Sequence, residues 1–102
     1  MSPGDNDKKH CQRIRITGRV QGVCFRYYTK VKADRLGVTG WVKNCLDNGV
    51  ESLICGNDEQ LLAMKQWLAH GPEMAQVDAI QSEQAKPENM PDSFKIIYER
   101  FF

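Results

Sequence analysis

Two hydrophobic periods alternate along this chain, and their order restricts the folds open to it. Over residues 12–17 isoleucines alternate with polar residues, Arg13-Ile14-Arg15-Ile16-Thr17, the period of two expected of a strand buried on one face. Apolar and small residues then fall at Phe25, Tyr28, Thr29, Val31, Ala33 and Leu36, a helical spacing, and Gly37 follows as a helix-ending residue. Strand signals return over 39–44 and 50–55, with Asp47-Asn48-Gly49 between them as a hairpin turn. A second helix is expected over 58–70. Asn57 can cap it with Gln60 three residues on, Leu61, Met64 and Leu68 form its buried stripe beside Trp67, and Gly71-Pro72 stops it. Residues 77–82 read as a fourth strand, 85–93 as a polar loop with prolines, and 94–98 as a last short strand.

The order is therefore β-α-β-β-α-β with an added C-terminal strand. Right-handed crossovers turn that order into a ferredoxin-like α+β sandwich, with two helices on one face of an antiparallel sheet. A chain of 102 residues supports one such domain, expected over 11–102 behind a flexible polar leader at 1–10.

Charge narrows the function classes. Fourteen Lys and Arg residues face 13 Asp and Glu, a balance that argues against a nucleic-acid binder, which needs a basic excess or stripe. The apolar runs are too short to span a membrane, and the first ten residues lack the apolar segment of a secretory signal. A cytoplasmic monomer acting on a small molecule is the resulting expectation. The four cysteines contain no C-x-x-C pair, and His10 and His70 lie far apart, so neither a metal site nor any other cofactor is called for.

The most informative stretch is Gly18-Arg19-Val20-Gln21-Gly22-Val23-Cys24-Phe25-Arg26. It leaves a strand as a glycine-bearing loop and enters a helix with an arginine in the first turn. Successive backbone N–H groups in such a loop can form a concave anion nest. The helix N-terminus adds unsatisfied donors and partial positive charge, and Arg26 can grip two phosphate oxygens at once. A plain tight turn explains the glycines equally well. Asn44 ends the second strand at the same sheet edge, where ligand sites gather in other α/β sheets. Its carboxamide can orient a water beside a phosphate without repelling it, although an Asn there also initiates turns. The chemistry accounts for the absence of an acid or metal ligands. An acyl phosphate expels a carboxylate, already a stable anion, so positioning and charge stabilisation carry the reaction.

Residues 18–26 resemble the first motif of the acylphosphatase family, G-x-V-Q-G-V-x-F-R. Gly40-Trp41-Val42-Lys43-Asn44, followed by Val50 and Gly56, resembles the second. The similarity continues through Leu36-Gly37 to Phe94-x-Ile96-x-Tyr98. The resemblance implies metal-independent hydrolysis of small acyl phosphates without a phosphoenzyme, the phosphate itself taking the water's proton. It gives Arg26 the phosphoryl group, Asn44 the nucleophilic water, and the backbone amides of Arg19, Val20, Gln21, Gly22, Val23, Cys24 and Phe25 the phosphate oxygens. A non-catalytic phosphate-binding module of the same fold is the alternative. Three departures stand out: Asn48 where the family usually has Gly, Cys45 where Thr is common, and the extension Glu99-Arg100-Phe101-Phe102.

Trp41, Trp67, Tyr27 and Tyr28 are expected in core packing, since no RNA-binding aromatic motif occurs on the first or third strand. His70, at a helix C-terminus, is assigned to the helix dipole. The remaining feature is a cysteine pair. The first and third strands are antiparallel neighbours, and alternation puts Cys11 and Cys55 at the same end on the open face. A disulfide between them is geometrically allowed, while a reducing cytosol opposes it.

Overall fold

In the computed structural model the described residues are 8–98. They form β1 (His10–Arg19), α1 (Phe25–Leu36), β2 (Thr39–Asn44), β3 (Val50–Gly56), α2 (Asp58–His70), β4 (Gln76–Ala85) and β5 (Phe94–Ile97). The sheet order is β4-β1-β3-β2-β5. β1 and β2 are each antiparallel to β3 and so run in the same direction. Their C-terminal ends share one edge of the sheet.

Both helices lie on one face. α1 packs over β2 and β5, and α2 over β1, β3 and β4. The core between them holds Ile14, Ile16, Val42, Val50 and Ile54 from the sheet. Phe25, Ala33, Leu61, Met64 and Leu68 meet them from the helices. Asn57 caps α2 as expected: its Oδ1 accepts from Gln60 N at 2.9 Å, and Gln60 Oε1 accepts from Asn57 N at 2.8 Å. The same Gln60 donates to Leu36 O at 3.0 Å, so one side chain closes the start of α2 and ties it to the end of α1.

Several boundaries differ from the sequence expectations. His10 is the first residue of β1, paired with Gly56, and its Nε2 lies 2.9 Å from Asp58 Oδ1; it does not belong to a leader. β1 runs on to Arg19 instead of yielding to a loop at Gly18. A register shift between Thr17 and Gly18 carries it past β4, and a Cβ on Gly18 would sit 2.3 Å from Gln76 O. This glycine therefore serves a bulge and a close strand approach. β4 reaches Ala85 because its polar residues complete the β1 ladder as far as Cys11; Gln81–Gln84 carry no apolar alternation to announce it.

The sheet is mixed, since β5 joins β2 in parallel. The chain leaves β4 at one edge and returns as β5 at the other, passing Met90 within 3.4 Å of Cys11 Sγ. On this open face Cys11 and Cys55 stand directly opposite each other in register, with Cα atoms 4.1 Å apart and their sulfurs joined as a disulfide. Leu53, Trp41 and Ala85 surround them. Tyr27 and Tyr28 are exposed at 59% and 47%, not in the core. The face that α1 buries is Phe25, Thr29 and Ala33, spaced four apart, which turns both tyrosines outward. The four C-terminal residues lie outside the described range.

Candidate active site

The loop between β1 and α1 contains two left-handed residues, Gly22 at φ 76° and Cys24 at φ 61°. A Cβ on Gly22 would meet nothing within 4 Å, so its backbone faces open space. Among the described residues, no hydrogen bond takes up the N–H groups of Gln21, Gly22, Val23 or Cys24. Cys24, the N-cap of α1, offers no side-chain cap, and the first turn has no acidic residue. By contrast α2 carries a capping box with Asp58 and Glu59 behind it. The start of α1 thus presents open donors and an uncompensated partial positive charge.

Arg26 stands in that first turn. Its Nη1 donates to Ile97 O at 3.4 Å, and its guanidinium carbon lies 5.0 Å from the centre of the Tyr98 ring. β5 therefore steers the guanidinium, and no acidic partner neutralises it among the described ion pairs. Asn44 closes β2, paired with Val50. Its Oδ1 is buried and has no hydrogen-bond partner among the described residues. A buried carbonyl oxygen without a protein donor keeps its acceptor capacity for a water or another group.

These groups face one cleft of about 320 Å³, lined by Val20, Gly22, Cys24, Phe25, Arg26, Tyr27, Asn44, Ile96 and Tyr98. Among the described residues, the lining holds one cation and neither a carboxylate nor a histidine. Such a surface can grip a small anion and orient a water, while the acids it offers to a leaving group are the weak ones of two tyrosines and a thiol, with no carboxylic acid or imidazolium among the described residues.

Of the residues read from the sequence, Val20, Gly22, Cys24, Phe25, Arg26 and Asn44 meet here. Of the others, Arg19 is held in the sheet, and Gln21 and Val23 send only their side chains elsewhere. Arg19 is paired with Gln76 in the β1–β4 ladder. The Gln21 side chain reaches the β2–β3 turn. Val23 lines a neighbouring groove with Tyr28, Trp67 and Met74. Tyr27, Ile96 and Tyr98 were not anticipated in the cleft. The β5 residues arrive through a parallel pairing that no local pattern announces, and Tyr27 could have been found from its outward position on α1. Among the described residues no His, Cys, Asp and Glu cluster could hold a metal ion, and no helix is long and apolar enough to cross a membrane.

Fold and cleft together define a small α+β sandwich with a loop of open N–H donors at the shared ends of β1, β2 and β5. The acylphosphatase family model matches residues 12–96. An acylphosphatase from Rhizobium etli is 48% identical over 91 residues, covering 89% of this chain and 97% of that relative. One from Nitrosococcus oceani is 55% identical over 73 residues, or 72% of this chain and 82% of its own. Among solved structures, an acylphosphatase from Coxiella burnetii superposes with a TM-score of 0.83 at 32% identity. It covers 95% of this chain and 100% of its own. This chain belongs to the acylphosphatase family.

Proposed function

We propose that this chain hydrolyses the carboxyl–phosphate bond of small acyl phosphates to a carboxylate and inorganic phosphate, without a metal and without a phosphoenzyme. The observation that carries the reading is the juxtaposition, in one cleft, of the Arg26 guanidinium and the Asn44 Oδ1, which has no partner among the described residues. The phosphoryl group is held by Arg26 and by backbone amides from Arg19 to Phe25, of which those of Gln21 to Cys24 are unclaimed by other groups. Asn44 accepts a hydrogen bond from a water and aims it at phosphorus. The water's oxygen bonds to phosphorus as the bond to the acyl oxygen breaks. The electron pair leaves on the carboxylate, and the water's proton passes to a phosphate oxygen. No step needs an external acid, because the departing group is a weak base.

The substrate class follows from the same lining. Tyr27, Ile96 and Tyr98 flank Arg26 and offer apolar walls for the acyl group, while among the described residues no second cation lines the cleft for an anionic one. The reading includes a monomer acting in the cytoplasm. Exposed Cys24, a free thiol, fits a reducing compartment, and a Cys11–Cys55 bond favours an oxidising one.

Acyl-phosphate hydrolysis measured in EDTA, for the wild type and for Arg26→Ala and Asn44→Ala, tests the proposal. Each substitution is expected to lower the rate by ~10²–10³, the cost of one preorganised stabilising group. Near-normal turnover in either variant overturns the assignment. Phosphate binding with no turnover in the wild type establishes the non-catalytic alternative.

A further inference from the structure

Gln21 lies in the anion-facing loop, yet its side chain takes no part in the cleft. Its Nε2 donates to Cys45 O and to Gly49 O, each at 2.8 Å, so both amide hydrogens are engaged. Those two carbonyls also close the turn between β2 and β3. Cys45 O accepts from Asn48 N at 3.2 Å, and Gly49 O accepts from Cys45 N at 2.9 Å. A carbonyl oxygen has two acceptor sites, and in both groups Gln21 fills the second one.

The location matters more than the number of bonds. Asn44 is paired with Val50 in the β2–β3 ladder, and Cys45 and Gly49 are the first turn residues beyond that pair. Gln21 therefore grips the hairpin one residue from Asn44. On its far side the turn is anchored to β1, where Arg15 pairs with Asp47 and Arg15 Nη1 lies 3.8 Å from Cys45 Sγ. The loop that faces the phosphate and the strand that carries Asn44 belong to different elements. The Gln21 carboxamide is a direct bridge between them.

We propose that Gln21 is a positioning residue, setting the distance between the phosphate-holding loop and the Asn44 carboxamide so that the water is aimed in line. The inference rests on the roles given above to the loop and to Asn44. With the bridge cut, the loop and Arg26 still hold phosphate, but the water's alignment loosens. A misplacement of about 1 Å costs on the order of 10² in rate.

The experiment is a double-mutant cycle on the full chain with an acyl phosphate as substrate. Gln21→Met keeps the length of the side chain and removes both donors; Gln21→Ala is the second variant, and thermal unfolding confirms that each is folded. Expected is a fall in kcat on the order of 10² for Gln21→Met, with the inhibition constant of inorganic phosphate changed by less than about threefold, since the loop and Arg26 still hold it. In the Asn44→Ala background, Gln21→Met is expected to change kcat by less than about twofold, because the two residues act as one unit. Wild-type kcat in both folded Gln21 variants overturns the inference. So does a full additional loss in the Asn44→Ala background, or a weakening of phosphate binding as large as the fall in kcat. Near-normal turnover in Asn44→Ala alone defeats the reading of Asn44 itself, and is distinguishable because it requires no Gln21 variant.

Discussion

Asn44→Ala is expected to separate catalysis from folding. The Asn44 Oδ1 has no donor among the described residues, so truncation forfeits no hydrogen bond seen there, the usual source of large losses at polar sites. The side chain lines an open cleft, so its removal enlarges the cleft instead of leaving a sealed cavity. What remains is the strand preference of the last β2 residue, for which the whole scale spans ~1 kcal/mol. Stability should therefore change by less than about 1 kcal/mol, which corresponds to less than about 4–8 °C in Tm for a domain of this size. The rate should fall by ~10²–10³, or ~2.7–4 kcal/mol of transition-state stabilisation. The assay pairs initial rates in EDTA with urea unfolding midpoints at the same pH. A variant that loses stability and activity together, by more than about 2 kcal/mol each, would place Asn44 among the residues that hold the hairpin and refute the reasoning.

Three further substitutions or treatments test the scaffold. Gly40 has φ 136°, and a Cβ there would stand 1.9 Å from Leu53 O. Gly40→Ala should lower stability by roughly 3 kcal/mol or more, visible as a large drop in the urea midpoint; an unchanged midpoint would contradict this register. Asn48 occupies φ 74°, so Asn48→Gly should leave stability equal or raised by ~1 kcal/mol, whereas Asn48→Val should lose ~1–2 kcal/mol in thermal unfolding. Cys11 and Cys55 close a loop with a sequence separation of 44, for which chain entropy gives roughly 4 kcal/mol. Reduction should cost up to that amount, raise the thiol count of denatured protein from two to four, and leave kcat unchanged. The bond lies at the start of β1, about 26 Å of strand away from Arg19.

Much of the fold was legible because local and tertiary signals agree. The 3.6 spacing that buries Leu61, Met64 and Leu68 is the spacing observed, and the Asn57–Gln60 box forms as written. The β1–β3 register follows from alternation, and it brings Cys11 opposite Cys55. What local pattern could not convey lies at the sheet's edges. β4 is prolonged by polar residues whose only reason to be extended is the neighbouring β1 backbone. β5 docks in parallel beside β2 because Phe94 is buried in the core under α1, a tertiary choice. Two cleft residues, Ile96 and Tyr98, arrive by that route, so the wall they form was the least legible part of the candidate site. Tyr28, exposed on α1, illustrates the opposite error. An aromatic residue at helical spacing reads as core, but the stripe set by Phe25, Thr29 and Ala33 leaves it outside.

The division of labour between Arg26 and Asn44 is best tested by binding inorganic phosphate, a product, in EDTA by calorimetry. Asn44→Ala should bind phosphate within about threefold of the wild type, because a neutral carboxamide adds little to holding the anion. Arg26→Ala should bind it ~10–100-fold more weakly, the value of a charge-assisted hydrogen bond. Phosphate held normally by Arg26→Ala and lost in Asn44→Ala would contradict the account.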